Sequence, residues 1–337
     1  MTGTNPEADM PHIEPVIEIA NLSIATGHTG TPLVDDVSLR VDPGECLGIV
    51  GESGSGKSLT LRSVLGLLPP ALDQTQGTVR FRRDKEEGLR PVAPRDLRGH
   101  GVSMIFQEPM SSLNPTMRIG DLVAAGPRAR GMSRRDAAER ALRLLAEVGV
   151  PHPEQRARAW PHQLSGGLRQ RVMIAMALSV EPTLLLCDEP TTALDTTVQD
   201  QILTLVENLR AERGLALIFV SHDLSVISRI ADRTAVMYAG RIVEQGPTHD
   251  LVDDPRHPYT RALIESMPQL QGPPVRLKTI SGSPPTAGLL PPGCRFAPRC
   301  PLVVDACRQA DPPLLDIGPH RASACLRQAE MKVGEPV

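Results

Sequence analysis

The stretch Cys46-Leu-Gly-Ile-Val-Gly-Glu-Ser-Gly-Ser-Gly-Lys57-Ser58 decides how this chain folds. Its first five residues, Cys46 to Val50, form an apolar run of the length expected for a buried strand. The run stops at Gly51 and enters a glycine-rich loop with the spacing G-x-x-x-x-G-K-[ST], in which Gly51, Gly56, Lys57 and Ser58 hold the fixed positions. Glycine is required because the backbone must wrap closely enough for its N–H groups to cradle phosphate oxygens. Lys57 is placed to reach the β- and γ-phosphates, and the Ser58 hydroxyl suits Mg²⁺. Ser53, Gly54, Ser55 and Leu59 complete the candidate phosphate-contacting set. A helix expected over Ser58 to Leu68 follows, and its N-terminal partial positive charge favours an anion. A plain flexible glycine loop would not need a strand before it and a helix after it. The stretch reads as a nucleotide-phosphate site.

The bulk composition narrows the classes further. The 337 residues are 40% hydrophobic but only 2% aromatic, so the core must be built from Leu, Val, Ile, Ala and Met. A net charge of −3 gives no global argument for nucleic-acid binding. Residues 1–13 are acidic and proline-containing, with no apolar segment of the signal-peptide kind, and no run approaches the length needed to span a bilayer. The chain therefore reads as cytosolic, where its six cysteines serve as metal ligands or core residues more readily than as disulfides.

Around the phosphate loop the apolar pattern alternates between strand and helix. Pro15 to Val41 reads as an antiparallel strand pair turning near Gly27 and Gly30, and Gly77 to Phe81 as a short strand. Val102 to Phe106 is an apolar strand ending on Gln107. Residues 113–165 change character to a helical insert: Ser133-Arg-Arg-Asp136 is a capping box, and Ala137, Ala141, Leu144, Leu145 and Val148 share one face of the helix that it opens. The arginines of that helix are interspersed with acids and lack aromatics, which fits a solvated face. Strands return at Thr183 to Cys187 and Leu215 to Val220, with a helical pattern from Thr197 to Arg210 between them. Near-continuous apolar strands alternating with helices imply a parallel sheet covered on both faces. Ligands bind beyond the carboxyl ends of such strands, so the phosphate loop, Asp188-Glu189 and Ser221-His222 should converge on one crevice. Ala235 to Gln245 reads as a hairpin turning at Ala239-Gly240, and prolines and turns dominate from about Pro255.

A phosphate loop alone does not separate GTPases, kinases, motors and transporters. The four lysines are preceded by Gly56, Asp84, Leu277 and Met331, so no Asn-Lys pair exists for guanine reading. The separating stretch is Leu164-Ser165-Gly166-Gly167-Leu168-Arg169-Gln170. By itself it is a turn before an apolar helix with a second possible anion site at the helix start. It resembles the L-S-G-G-x-x-Q signature of ATP-binding-cassette ATPases, and the other motifs of that family follow in order over about residues 14–250.

The resemblance implies an α/β fold: a RecA-like parallel core with an antiparallel β subdomain over residues 14–255, a helical subdomain at about 108–165, and a cysteine-bearing extension over 256–337. It implies ATP and Mg²⁺ as cofactors, Gln107 as the Q-loop residue, and Asp188 with Ser58 and Gln107 around Mg²⁺. Glu189 would position or deprotonate the attacking water, and His222 would bridge it to the γ-phosphate. Asp195 would be the D-loop residue, and Leu164, Ser165, Gly166, Gly167 and Gln170 would meet ATP held by a partner subunit. Adenine usually stacks on an aromatic near the N-terminus in this family, but no Phe, Tyr or Trp precedes Phe81, so His28 or an aliphatic residue near Thr26 must substitute.

Phe106-Gln-Glu-Pro-Met-Ser-Ser-Leu-Asn-Pro115, Asp188-Glu-Pro-Thr-Thr-Ala-Leu-Asp195 and His257-Pro-Tyr-Thr-Arg-Ala-Leu263 are similar to the D-type ATPases of bacterial dipeptide and oligopeptide importers. That likeness implies a second homologous ATPase, two permease subunits received by the helical insert, an extracytoplasmic binding protein, and a place on the cytoplasmic face of the membrane. Nickel, glutathione or another small solute are alternative cargoes; a soluble cassette acting on nucleic acid, or a redox-sensing regulator, are alternative classes. No nucleic-acid partner is expected.

Cys294, Cys300, Cys307 and Cys325 have five, six and seventeen residues between them, without the tighter knuckles usual for structural zinc. Four thiolates are also an iron–sulfur ligand set. The stretch Gly293-Cys-Arg-Phe-Ala-Pro-Arg-Cys-Pro301 resembles importer extensions, some of which carry a [4Fe–4S] cluster. A cluster is the expectation, with zinc (His320 replacing one cysteine) or free thiols as alternatives. Cys46 and Cys187, within apolar strands, are expected to be core residues.

Overall fold

The structure is a computed structural model and describes residues 14–83, 88–107, 112–192, 194–267 and 280–331. The 1–13 tail, residues 108–111 after Gln107, and Ala193 lie outside that set. Two long strands, β1 (Ile17–Thr26) and β2 (Pro32–Val41), pair antiparallel about a turn at residues 27–31, as the alternation requires. β3 (Cys46–Val50) follows and leads through the loop into α1 (Lys57–Val64). This helix ends at Val64 rather than Leu68, because Gly66 turns left-handed (φ 60°) and its N–H closes on the Ser63 carbonyl. β4 (Leu72–Phe81) begins five residues before the apolar stretch that announces it and pairs with β1 along its length. β5 (Arg90–Pro91) completes an antiparallel sheet in the order β2-β1-β4-β5.

After α2 (Pro94–Leu97) and β6 (Val102–Ile105) comes the helical insert, with α3 (Ile119–Ala129), α4 (Arg134–Glu147) and α5 (Pro153–Ala157). Ser133 caps α4 by accepting the Asp136 N–H, and Ala137, Ala141, Leu144 and Leu145 are buried on one face, as the capping box and spacing predict. α6 (Gly166–Leu178), β7 (Leu184–Asp188), α7 (Thr196–Arg213), β8 (Ala216–Ser221) and α8 (Leu224–Ile230) alternate as expected. β9 (Arg233–Tyr238) and β10 (Arg241–Pro247) form the hairpin at Ala239-Gly240, both left-handed (φ 46° and 88°). Then come α9 (Thr248–Asp253), α10 (Pro258–Glu265), α11 (Ala306–Gln309), β11 (Leu315–Gly318) and β12 (Arg321–Ser323).

The main sheet runs β11-β12-β10-β9-β3-β8-β7-β6, with β9, β3, β8, β7 and β6 parallel and the rest antiparallel. The two-residue period of each strand divides its side chains between two cores. Leu185, Cys187, Leu217 and Phe219 face the helices α3, α4, α6, α7 and α8. Leu184, Leu186, Ile218 and Val220 face α1 and the antiparallel sheet. Cys46 and Cys187 are fully buried core residues. A Cβ on Gly48 would lie 2.5 Å from Ile227, so the missing side chain lets α8 lie directly on β3. The extension is not a free-standing module: β12 joins the main sheet through Glu244↔Ser323 and Gln245↔Ala322.

Candidate nucleotide site

The phosphate loop connects β3 to α1 and takes its shape from what it touches. A Cβ on Gly51 would sit 2.0 Å from the Met237 carbonyl oxygen, so only glycine passes the end of β9 there. Gly54 and Gly56 adopt left-handed backbone (φ 80° and 102°), and Gly56 sits at the N-terminus of α1. Ser53 and Gly54 are exposed, whereas Ser55 and Lys57 are buried. The Lys57 ammonium folds back onto the carbonyls of Gly51 (2.7 Å) and Glu52 (2.9 Å). Burial lowers its pKa, and the carboxylates of Glu189, Asp188 and Glu52 oppose that shift.

The three strand ends converge as the sheet order requires. The Ser58 hydroxyl donates to Asp188 Oδ1 at 2.6 Å across the gap between α1 and β7. Asp188 is fully buried, and desolvation raises its pKa despite the Ser58 hydrogen bond and nearby Arg62. Its Oδ2 has no hydrogen-bond partner among the described residues, and the nearest cation is Arg62 at 3.7 Å. A buried carboxylate oxygen left open beside a serine hydroxyl fits the donor chemistry that Mg²⁺ takes alongside phosphate oxygens.

Glu189 gathers the rest of the constellation. Its Oε2 lies 3.2 Å from Gln107 Nε2, 2.8 Å from Thr192 Oγ1 and 3.0 Å from His222 Nδ1. Its backbone is left-handed (φ 47°), an uncommon conformation for a non-glycine residue, and it turns the carboxylate off the end of β7 into the crevice. Thr192 and Arg62 were not singled out from sequence. Their signal was weak: a threonine inside Asp188-Glu-Pro-Thr-Thr192, and an arginine one helical turn after Ser58.

The signature residues do not join this cluster. Ser165 and Gly166 are exposed, Leu164 and Gln170 are buried, and the Ser165 hydroxyl caps α6 by accepting the Leu168 N–H. A Cβ on Gly167 would lie 2.7 Å from Val198, which holds the start of α6 close to α7. Asp195 is likewise exposed and caps α7 through the Val198 N–H (2.9 Å). His28 is exposed in the β1–β2 turn.

Cys294, Cys300, Cys307 and Cys325 line one small cavity of about 20 Å³ with Phe296 and Leu302. Burial pushes the Cys294 thiol up to about 11 and the Cys325 thiol to about 12, so without a ligand these sulfurs stay protonated at neutral pH. No three His, Cys, Asp or Glu side chains among the described residues are grouped closely enough to hold a metal ion. The expectation of a metal or cluster here is therefore not carried by the geometry. His320 stands in the β11–β12 turn with left-handed backbone and is not among the residues lining this cavity.

A phosphate loop facing a buried aspartate, a glutamate held by a glutamine and a histidine, and an outward-facing Ser-Gly-Gly helix cap together define an ATPase of the ATP-binding-cassette class. The comparisons agree and refine this. The ABC transporter family model matches residues 34–192, and that of the oligopeptide/dipeptide transporter C-terminal region matches residues 243–307. A Brucella melitensis protein described as a peptide import ATP-binding protein is 45% identical over 335 residues, covering 94% of this chain and 98% of the relative. The oligopeptide transport ATP-binding protein OppD of Mycobacterium tuberculosis is 45% identical over 325 residues, covering 94% of this chain but 52% of OppD. Among solved structures, cbiO1 of Clostridium perfringens, part of the ABC transporter complex cbiONQ, superposes with a TM-score of 0.61 at 25% identity, covering 71% of this chain and 90% of that one. The chain belongs to the ABC transporter ATPases and, among them, to those that carry the oligopeptide/dipeptide transporter C-terminal region.

Proposed function

We propose that this chain is the ATP-hydrolysing subunit that powers import of peptides of the di- and oligopeptide class through a membrane ABC transporter. The observation that carries the reading is the pairing of a complete Glu189 constellation with a C-terminal region of the oligopeptide/dipeptide kind. Residues 14–255 form the nucleotide-binding unit, with the helical subdomain at about 108–165, and 256–337 form the extension.

Phosphoryl transfer needs positioning and charge stabilisation above all. The N–H groups of Gly51 and of Ser53 to Leu59, with the Lys57 ammonium, would hold the phosphates. Lys57 would leave the carbonyls of Gly51 and Glu52 to do so. Ser58, Asp188 and Gln107 would hold Mg²⁺, which when bound supplies charge neutralisation across the phosphates. Glu189 would orient the attacking water and take its proton, while Gln107, Thr192 and His222 fix the carboxylate. Leu164, Ser165, Gly166, Gly167, Gln170 and Asp195 would serve the ATP of a second, homologous ATPase in a head-to-tail heterodimer. Ser165, Gly166 and Asp195 are exposed at the starts of α6 and α7, which suits an intermolecular role, while buried Leu164 and Gln170 would support the signature from behind.

Two permease subunits and an extracytoplasmic binding protein would complete the machine, with this subunit peripheral on the cytoplasmic face of the membrane. No helix among the described residues is long and apolar enough to cross a membrane. A charged cleft of about 370 Å³ in the helical insert, lined by Arg118, Asp121, Arg128, Arg134 and Arg158, offers a surface for a permease loop. The four cysteines, which line one cavity, would serve as ligands of a [4Fe–4S] cluster, with zinc as the alternative; this reading rests on the resemblance of Gly293 to Pro301 to importer extensions and not on the spacing of the sulfurs. Iron and acid-labile sulfide in protein purified without oxygen, lost in Cys300→Ser, would support the cluster; stoichiometric zinc or no metal would refute it.

The test of function is uptake. Deleting the gene should abolish accumulation of labelled tripeptides, restored by the wild type but not by Glu189→Gln. Unchanged peptide uptake, with loss of nickel or glutathione uptake instead, would refute the peptide reading.

A further inference from the structure

One residue of the phosphate loop is tied to the cysteine-bearing extension through both its side chain and its backbone N–H. Glu52, immediately after Gly51, forms a two-pronged ion pair with Arg299: Nη1 to Oε2 at 2.7 Å and Nη2 to Oε1 at 2.9 Å. The Glu52 N–H donates to the Tyr259 hydroxyl at 2.8 Å. Its carbonyl accepts the Lys57 ammonium at 2.9 Å and the Ser55 N–H at 3.2 Å. Arg299 lies 247 residues further along the chain, and its side chain is 5% exposed.

The setting of Arg299 is equally specific. Its Nε donates to the Ser281 carbonyl at 2.9 Å, and its guanidinium carbon lies 5.8 Å from the Tyr238 ring and 5.9 Å from the Phe296 ring. Tyr238, Tyr259 and Phe296 pack together, with centroids 4.6 to 5.4 Å apart. The chain has two tyrosines and four phenylalanines, so both tyrosines and one phenylalanine have gathered behind the phosphate loop.

We infer that Glu52, Arg299 and Tyr259 are positioning residues of the ATP site, and that the extension is a structural part of that site. The inference rests on the nucleotide-site reading above. Its physical core is a charge argument. A free carboxylate one residue from the phosphate cradle would repel the ligand, and this one is tolerated because Arg299 neutralises it. Arg299 also fixes the loop that must aim its N–H groups and release Lys57, so the cradle is pre-organised before ATP arrives. A simple staple between extension and cassette would need no such placement, and it makes a different prediction. Breaking a staple from either side should have similar effects, whereas breaking a neutralising pair should hurt most when the carboxylate is left alone.

The experiment is equilibrium binding of a fluorescent ATP analogue with Mg²⁺ to the full chain, as wild type, Glu52→Gln, Arg299→Gln and the double variant, with Lys57→Ala as control. Arg299→Gln should weaken binding at least five-fold, and adding Glu52→Gln should recover part of the loss. A smaller loss, or a double variant no better than Arg299→Gln, overturns the inference while leaving the nucleotide site intact. A wild type that binds no nucleotide would overturn both. If Arg299→Gln fails to fold, Arg299→Lys carries the test, because its ammonium keeps the neutralising charge although it cannot hold both carboxylate oxygens. Binding should then stay within about three-fold of wild type, and a five-fold or larger loss overturns the charge argument.

Discussion

Lowering the pH from 7 to 5 should destabilise this protein through His257, and His257→Asn should remove that part of the loss. His257 is 1% exposed and stands at the N-terminus of α10, where Nδ1 accepts the Tyr259 N–H at 3.1 Å. Its own N–H donates to Glu244 Oε2 at 2.8 Å. Burial pushes the imidazole down to about 3. In an unfolded chain the same ring titrates near 6.5, so below that pH the unfolded state binds the extra proton. The stabilising effect is therefore fully present above pH 6.5 and is lost progressively as the pH falls toward 3. Integrated from 7 to 5, the loss is about 2 kcal/mol.

Buried Glu244 works the other way. Desolvation raises its pKa, so its contribution is greatest at low pH and fades as pH rises through the raised value. Because Glu244 is common to both proteins, it cancels in the difference. Asparagine caps a helix as well as any residue and does not titrate here. Urea unfolding of wild type and His257→Asn at pH 5, 6 and 7 should show their stability difference shifting by about 2 kcal/mol toward the variant. A shift below about 0.5 kcal/mol would mean that the ring is not held neutral by burial.

Glu189→Gln keeps the shape that Gln107, Thr192 and His222 surround but removes the base; phosphate release should fall by about 10² to 10⁴ while ATP affinity changes less than about three-fold. Turnover within ten-fold of wild type, taken as about 1.4 kcal/mol of barrier, would remove Glu189 from its assigned role. Gly51→Ala drives a Cβ to 2.0 Å from the Met237 carbonyl, so the loop must shift and nucleotide binding should drop at least about ten-fold, about 1.4 kcal/mol; unchanged affinity would show that the loop tolerates the move. Ser133→Ala removes the cap of α4 and should lower stability by about 1 kcal/mol without touching ATP affinity, as unfolding and binding measured on the same sample would show.

What was legible in the sequence was whatever short-range physics sets. Apolar strands at 46–50, 184–188 and 216–221 announced themselves because both faces are buried, and the polar residues at their ends had to meet. The first half of β4 was not legible: Asp73, Thr75 and Gln76 are exposed, and pairing with β1 holds that segment without an apolar pattern. The link between the extension and the sheet was hidden for a related reason. Ala322 and Ser323 look like turn residues, and only the open edge of β10 makes a strand of them. Arg299 carried no local signal either, since its partner lies in another element at the far end of the chain.

That late-arriving strand has a consequence for synthesis. β10 ends at Pro247, and the strand that covers its edge begins at Arg321. At about 5–20 residues per second, a ribosome holds the cassette for several seconds or more with β10 unpaired on that side. An open edge of this kind recruits other chains. A shortened protein that stops between α10 and β11 would keep that edge open permanently, and should accumulate in inclusion bodies even though every ATP-contacting motif has already been made.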